Sequence, residues 1–141
     1  MMEQRVSLIT LGVEDPARAA AFYEALGWRR VETEDQITVF QLLSQVIGLY
    51  PKAKLAEDLG VDASSFGPAA MTLGYNVRAK KEVAAICALV PGAGGRVLKE
   101  PHDIFWGGHS AFVADPDGHA WEISWNPFSP PREDGTFHWN G

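Results

Sequence analysis

The residue with the clearest potential for chemistry is Glu122, which follows the segment Asp115-Pro116-Asp117-Gly118 near the C-terminal end of the sequence. Asp-Pro-Asp-Gly is typical of a tight turn, because Pro presets φ and Gly accepts a positive φ. The apolar segments 110–113 and 120–125 lie on either side of this turn. The pattern therefore predicts a hairpin whose second strand carries Glu122.

Alternation along this second strand separates Glu122 from the aromatic residues. With a period of two, Trp121, Ile123 and Trp125 share one face, which we expect to be core. The opposite face carries Ala120, Glu122 and Ser124. A carboxylate among small side chains favours a cavity, where Glu122 could accept a hydrogen bond or act as a catalytic general base.

Other side chains are candidates for ligand binding because alternation or loop position directs them toward the same cavity. Ser110 and Phe112 alternate inward on the strand before the turn, and Trp106 lies in a glycine-rich loop that leads into it. Tyr50 and Asn76 are further inward-facing candidates on their own strands.

Composition limits the classes of protein that this chain can represent. The 141 residues are 46% hydrophobic, and 12 basic against 18 acidic residues give a net charge of −6. Basic residues do not cluster with aromatic ones, so we expect no nucleic-acid partner.

The single cysteine, Cys87, excludes an internal disulfide and lies on a predicted helix stripe, where we expect it to pack as a small apolar residue. No apolar run reaches the roughly 20 residues that a membrane span requires, and the N-terminus lacks a signal-peptide core, so we expect a cytoplasmic protein with no membrane contact.

The first half of the chain reads as one strand, one helix and three strands. A strand over 6–13 is followed by Asp15 as helix N-cap and Pro16 at the first helical position. The helix extends over 16–26 to a glycine cap at Gly27, with an apolar stripe at i, i+3, i+4 and i+7. The three strands are predicted over 28–34, 37–43 and 46–50, and a short helix over 54–59 follows.

The second half repeats this order of elements. The stripe residues Val83, Ile86, Cys87 and Val90 each lie 64 positions after their counterparts in the first helix. A strand over 71–77, a helix over 80–90 and strands over 96–99, 110–114 and 120–125 complete the copy. We therefore predict an α+β fold in which two tandem βαβββ modules form a curved mixed sheet around a cavity, with the helices outside. Module one is predicted over about 6–51 and module two over about 69–127. A linker over 52–68 joins them, and a tail over 128–141 follows module two.

These features together resemble the vicinal oxygen chelate superfamily, which includes glyoxalase I, bleomycin-resistance proteins and extradiol dioxygenases. The resemblance is carried by the duplicated modules, by Val13-Glu14-Asp15-Pro16 leading into Ala21-Phe22-Tyr23, and by Asp115-Pro116-Asp117-Gly118-His119-x-x-Glu122. It implies that Phe112 lines the ligand cavity, as its counterpart does in resistance proteins.

The resemblance also implies four metal-ligand positions, of which this sequence keeps one. Glu122 matches the last ligand, whereas Leu8, Gly48 and Thr72 stand where the metal enzymes carry His or Glu. Leu and Gly offer no side-chain ligand atom, and a Thr hydroxyl is a poor ligand. On a strand, His119 and Glu122 would point to opposite faces, so they should not bind the same ion. The other histidines lie in positions typical of surface residues. They are His102, predicted in a loop, His109 and His138.

Three functions remain open at this point. The first is a protein that holds a small apolar or aromatic molecule without a catalytic metal, with Thr72 and Glu122 among its contacts. The second is a metal-dependent lyase, isomerase or dioxygenase of the glyoxalase type, which would need a divalent metal as cofactor. The third is a metal-free enzyme with Glu122 as general base. We also expect a homodimer, because the edges of open sheets are commonly covered by self-association.

Overall fold

The computed structural model describes residues 1–33, 36–67 and 71–139. The chain divides into two compact units, Met1–Pro68 and Ala69–Gly141. The first unit contains module one and the predicted linker, and the second contains module two and the tail. Each contains an open four-stranded mixed sheet, so the predicted α+β class and the tandem βαβββ plan are confirmed.

Module one follows the predicted order of elements. Its strands and first helix are β1 (Ile9–Val13), α1 (Pro16–Ala25), β2 (Arg30–Val31), β3 (Thr38–Gln41) and β4 (Val46–Pro51). The sheet order is β1-β4-β3-β2, with β1 parallel to β4 and the other neighbours antiparallel. β4 is therefore an inner strand, and its alternation decides which side chains face α1.

The start of α1 has the predicted cap. Asp15 is extended, and its carboxylate accepts hydrogen bonds from the backbone N–H groups of Ala17 at 3.0 Å and Arg18 at 3.2 Å. Pro16 occupies the first turn, where its missing N–H costs nothing. At the other end Gly27 has φ of +110°, the left-handed region that favours glycine. The helix thus begins and ends where the local sequence requires.

The core of module one lies between α1 and one face of the sheet. Phe22, Tyr23, Phe40 and Leu49 are almost completely buried there. Tyr23 stacks on Trp28 with ring centroids 5.0 Å apart and meets Phe40 edge-on at 6.0 Å. Burial of such aromatic and aliphatic side chains is the main stabilising term of the module.

A second helix follows β4 directly. It is α2 (Lys52–Leu59), and a single 3₁₀ turn, Ala63–Ser65, comes after it. The predicted helix over 54–59 is confirmed and begins two residues earlier, immediately after Pro51. α2 has no counterpart in module two among the described residues.

Module two repeats the plan with one long edge strand. Its elements are β5 (Leu73–Asn76), α3 (Lys81–Leu89), β6 (Arg96–Asp103), β7 (His109–Ala114) and β8 (Ala120–Trp125). The order β5-β8-β7-β6, with β5 parallel to β8, matches that of module one. α3 packs against β6, β7 and β8.

The alternation of β8 is as predicted. Trp121 pairs with Val113 and Glu122 pairs with Phe112 in an uninterrupted register, so Trp121 and Glu122 lie on opposite faces of the sheet. Trp121 is buried with Ile123, whereas Glu122 is half-buried. The apolar face is the one that module two buries as core.

Several strand boundaries differ from the sequence prediction. β1 and β2 are shorter than expected, and Glu34, the predicted end of β2, lies outside the described residues. β6 is longer: His102, which we predicted in a loop, pairs with Ser110 within the sheet. The prediction for His102 was wrong because Pro101 suggested a break, but β6 is an edge strand with register shifts, where proline is tolerated.

The C-terminal tail is attached to module two. The Arg78 guanidinium donates to the backbone carbonyls of Arg132 at 2.9 Å and Glu133 at 3.1 Å. Ser129 is buried. These contacts hold this part of the tail against module two. Among the described residues, no helix has both the length and the apolar composition to cross a membrane.

The β7–β8 turn is held by one buried carboxylate. Asp115 is 1% exposed, and its Oδ1 accepts hydrogen bonds from the backbone N–H groups of Asp117 at 2.9 Å and His119 at 2.8 Å. Gly118 has φ of +89°, which completes the predicted turn. This turn fixes the register of β8, and therefore the face on which Glu122 lies.

Replacing Asp115 by Ala should lower the free energy of unfolding by about 1–3 kcal/mol, because two backbone donors in a buried turn lose their acceptor. Asp115→Asn keeps an oxygen acceptor and should lose less. Urea unfolding followed by tryptophan fluorescence measures both. Equal losses in the two variants would show that the hydrogen bonds to Oδ1 do not hold the turn.

Candidate functional site

A cleft of about 530 Å³ opens within module one. Its lining residues are Thr10, Gln36, Ile37, Tyr50, Lys54, Leu55, Glu57 and Asp58. Of the predicted binding residues, Tyr50 lines this cleft. The other predicted binding residues, described below, belong to module two.

The cleft exists because α2 approaches the sheet at one point and leaves space beside it. A Cβ on Gly12 would lie 3.1 Å from Leu55 Cδ2 and 3.3 Å from Lys52 Cγ, so the helix rests closely on this glycine. Gly12 pairs with Tyr50 in the parallel register of β1 and β4. The sheet therefore supplies the floor, through Thr10 and Tyr50, and α2 supplies one wall.

The other wall reaches over Gly48, the position that corresponds to Glu122. Gly48 pairs with Thr10, and Glu122 pairs with Gly74, which lies 64 positions after Thr10. A Cβ on Gly48 would lie 2.6 Å from Ile37 Cδ1. Ile37 thus occupies the space that a ligating side chain at position 48 would need.

Leu8 contributes to the same apolar surface. Its Cδ1 lies 3.6 Å from the position of a Cβ on Gly48, which is ordinary van der Waals distance. Both metal-ligand positions of module one are therefore apolar, and Ile37 packs over one of them. A metal ion at this place would meet hydrocarbon instead of oxygen or nitrogen ligands.

In module two the equivalent face is polar. Ser110 Oγ lies 3.2 Å from Glu122 Oε1 and 2.9 Å from Ser124 Oγ. Ser110 is fully buried and has a single hydroxyl hydrogen, so when it donates to Glu122 the hydroxyl of Ser124 can donate to Ser110. The carboxylate is held in place by this pair of hydroxyls.

Two of the other predicted binding residues of module two, Phe112 and Asn76, lie on strands that pair with β8. Phe112 pairs with Glu122 and is half-buried, and Asn76 pairs with Ser124. Thr72 precedes β5 and is exposed. Trp106 lies apart from these residues, in the turn between β6 and β7.

The indole of Trp106 is 40% exposed and lies so close to Gly108 that a Cβ there would clash with its ring. A side chain at position 108 would therefore displace the indole. This contact shows that Trp106 packs on its own turn.

Two histidines of module two, His102 and His109, make local hydrogen bonds, and Cys87 is buried. His109 Nδ1 and Lys80 Nζ lie 2.8 Å and 2.9 Å from Asp103 Oδ1, and these two hydrogen bonds, that of Lys80 first, lower the pKa of Asp103. His102 Nδ1 lies 2.9 Å from the carbonyl of Glu100. Burial raises the pKa of the Cys87 thiol, which agrees with a packed and unreactive side chain.

The donor set does not fit the divalent ion of the metal-dependent relatives. No group of three or more His, Cys, Asp or Glu side chains is placed to hold a metal ion within residues 1–33, 36–67 and 71–139. Glu122 supplies one carboxylate, while Leu8 and Gly48 supply no ligand atom. A preorganised metal site needs several ligands and hydrogen bonds that orient them. Here one ligand, the Glu122 carboxylate, is oriented by one hydrogen bond, from Ser110.

Most residues that line the cleft were not predicted from the sequence. Sequence reasoning did not select Ile37, Lys54 or Leu55, because these residues come together only when α2 and the segment before β3 pack beside the sheet. One signal was present: Gly48 interrupts the β-branched and bulky run from Val46 to Tyr50, and glycine within a strand marks the close approach of another group. That group is Ile37.

Comparisons with known proteins identify the fold. A glyoxalase-related enzyme from Fulvimarina pelagi is 39% identical, with a TM-score of 0.89 over 97% of this chain and 99% of that chain. A glyoxalase/bleomycin resistance protein/dioxygenase family enzyme from Burkholderia phytofirmans PsJN is 19% identical, with a TM-score of 0.76 over 84% of this chain and 96% of that chain. Lactoylglutathione lyase from Agrobacterium tumefaciens is also 19% identical, with a TM-score of 0.64 over 89% and 96% of the two chains.

At these lower identities the last two similarities show the fold alone. A search among curated proteins gives no match. The sequence profile of the Glyoxalase/Bleomycin resistance protein/Dioxygenase superfamily matches residues 5–123. Because this match spans both modules, the chain belongs to that superfamily.

Proposed function

We propose that this protein binds a small molecule with an apolar or aromatic body in the module-one cleft, without a catalytic metal at the position used by the metal-dependent members of its superfamily. The observation that carries the proposal is Ile37, which packs over Gly48 and forms a wall of the cleft. The same side chain removes a ligand position and supplies an apolar binding surface.

The size and lining of the cleft support this role. Small-molecule sites commonly enclose about 300–1,000 Å³, and the cleft measures about 530 Å³. Ile37 and Leu55 offer apolar contact, and the Tyr50 ring and the Thr10 hydroxyl lie on the floor. Such a mixture holds an apolar body and fixes its orientation through a few polar groups.

Charged groups on α2 would orient a polar substituent of the ligand. Lys54 Nζ lies 3.8 Å from Glu57 Oε2, and both residues line the cleft together with Asp58. The Lys54 and Glu57 side chains are substantially exposed, so their interaction is weak and a ligand group can replace it at little cost.

A second candidate function is metal-free catalysis with Glu122 as general base. Its support is the hydrogen bond from Ser110, which holds the carboxylate on a defined face of module two. An activity lost in Glu122→Gln while ligand binding persists would favour this function. The metal-dependent alternative requires donors that Leu8 and Gly48 do not supply.

Filling the cleft should weaken binding of an aromatic probe. Thr10→Phe places a ring on the cleft floor, and we expect it to weaken binding of anilinonaphthalene sulfonate about tenfold or more. Leu43→Phe is the control, because Leu43 is 73% exposed in the same module and does not line the cleft. Fluorescence titration measures both variants, and thermal melting checks that each is folded. Equal affinity in Thr10→Phe and the unmodified protein would contradict the proposal.

The contact between Ile37 and position 48 can be measured by a double-mutant cycle. Gly48→Ala forces the Ile37 side chain to move, whereas the same change in an Ile37→Ala background meets Leu8 Cδ1 only at an ordinary contact distance of 3.6 Å. Urea unfolding should therefore show that Gly48→Ala is more favourable in the second background, with a coupling of about 0.5–3 kcal/mol. Additive effects of the two substitutions would show that Ile37 does not fill this position.

A further inference from the structure

Helix α2 gives the module-one cleft an excess of negative charge. Lys54, Glu57 and Asp58 are the charged residues that line the cleft in the described part of the chain, two carboxylates against one ammonium. Glu57 and Asp58 stand in the last turn of α2, which contains no basic residue. Because the C-terminal end of a helix is itself partially negative, the two carboxylates add to the helix dipole there.

The lysines of α2 are directed to other carboxylates and leave Asp58 without a cation. Lys52 Nζ lies 3.5 Å from Glu14 Oε1, and Lys54 Nζ lies 3.8 Å from Glu57 Oε2. Asp58 is exposed and forms no ion pair within residues 1–33, 36–67 and 71–139. One carboxylate of the cleft wall is therefore available to a cation of the ligand.

This carboxylate lies close to the apolar part of the cleft. Leu55 and Asp58 both line the cleft and stand at positions i and i+3 of α2. Such positions share a helix face, with about 5–6 Å between their Cβ atoms. A ring packed against Leu55 and Ile37 would thus carry a substituent to Asp58 through a linker of one or two carbons.

Given the proposed function, on which this step rests, we infer that the cleft selects cationic ligands: a protonated amine carried a short distance from an aromatic or apolar ring. The ring contacts Ile37 and Leu55, and the ammonium donates to the Asp58 carboxylate. The net charge of −6 attracts cations to the protein in general. An anionic ligand of the same shape meets an excess of carboxylates and binds less well.

Three probes with one naphthalene body test this selectivity: 1-naphthylmethylamine, 1-naphthalenemethanol and 1-naphthoate. Each is titrated into the ¹⁵N-labelled full-length protein and followed by the amide shifts of Leu55 and Asp58. We expect the amine to bind about fivefold more tightly than the alcohol, and the carboxylate to bind least well. Added salt should narrow these differences.

The outcomes separate this inference from the proposed function. Equal affinities of the three probes in the cleft would overturn the selectivity and leave the cleft as a binding site. The absence of cleft shifts with every probe would contradict both.

Variants of the cleft wall assign the preference to particular charges. Asp58→Asn keeps the size of the side chain and removes its charge, so it should weaken the amine, strengthen the carboxylate and leave the alcohol unchanged. Lys54→Gln should do the opposite and increase the advantage of the amine. Glu133→Gln is the control, because it removes one exposed negative charge in the other module.

Thermal melting checks that each variant is folded. Unchanged affinity of the amine in Asp58→Asn, or an equal loss in Glu133→Gln, would overturn the inference. Lys54→Gln keeps the test decisive where Asp58→Asn fails to fold, since an unchanged ratio of amine to alcohol affinity in that variant also contradicts selection by charge.

Discussion

Backbone pairing of one inner strand in each module determines the face of the sheet on which positions 48 and 122 lie. β4 and β8 each pair with a parallel neighbour on one side and an antiparallel neighbour on the other, in registers that run without a shift. Because side chains alternate along a strand, this pairing directs Leu49 and Trp121 into the buried core of their own modules. It directs positions 48 and 122 to the opposite face of the sheet in their own modules.

The two copies of the module use these equivalent positions differently. At position 48 the strand carries no side chain, and Ile37 fills the space above it. At position 122 it carries a carboxylate that accepts a hydrogen bond from Ser110. One module therefore presents an apolar wall and the other a charged acceptor. A duplicated fold can change its chemistry in this way without any change in its strand order, which is why membership of a superfamily does not by itself specify an activity.

Much of the fold could be predicted from local sequence signals. Asp15 and Pro16 define the start of α1 through capping chemistry that involves only adjacent residues, and Asp115 and Gly118 define the β7–β8 turn in the same way. The 64-residue repeat gave the order of elements. His102 was misplaced because proline weakens a strand prediction, whereas an edge strand with register shifts tolerates it.

The cleft could not be predicted in the same way because it depends on packing between segments distant in sequence. Leu55 reaches Gly12 across 43 positions, and Ile37 reaches Gly48 from the segment before β3. Glycine at position 48 indicates that some group approaches the strand closely, but no local sequence pattern identifies the partner in either contact. Tyr50 was predicted to face a ligand because alternation alone determines its face, and it lines the cleft.

The claim on which this account depends is that the superfamily metal position holds no catalytic metal in this protein. Native mass spectrometry of untagged protein, combined with elemental analysis of the same sample, tests it most directly. The account predicts substoichiometric zinc, nickel, manganese and iron, together with any organic ligand that co-purifies. About one equivalent of such a metal per chain, lost together with an activity in Glu122→Gln, would contradict it.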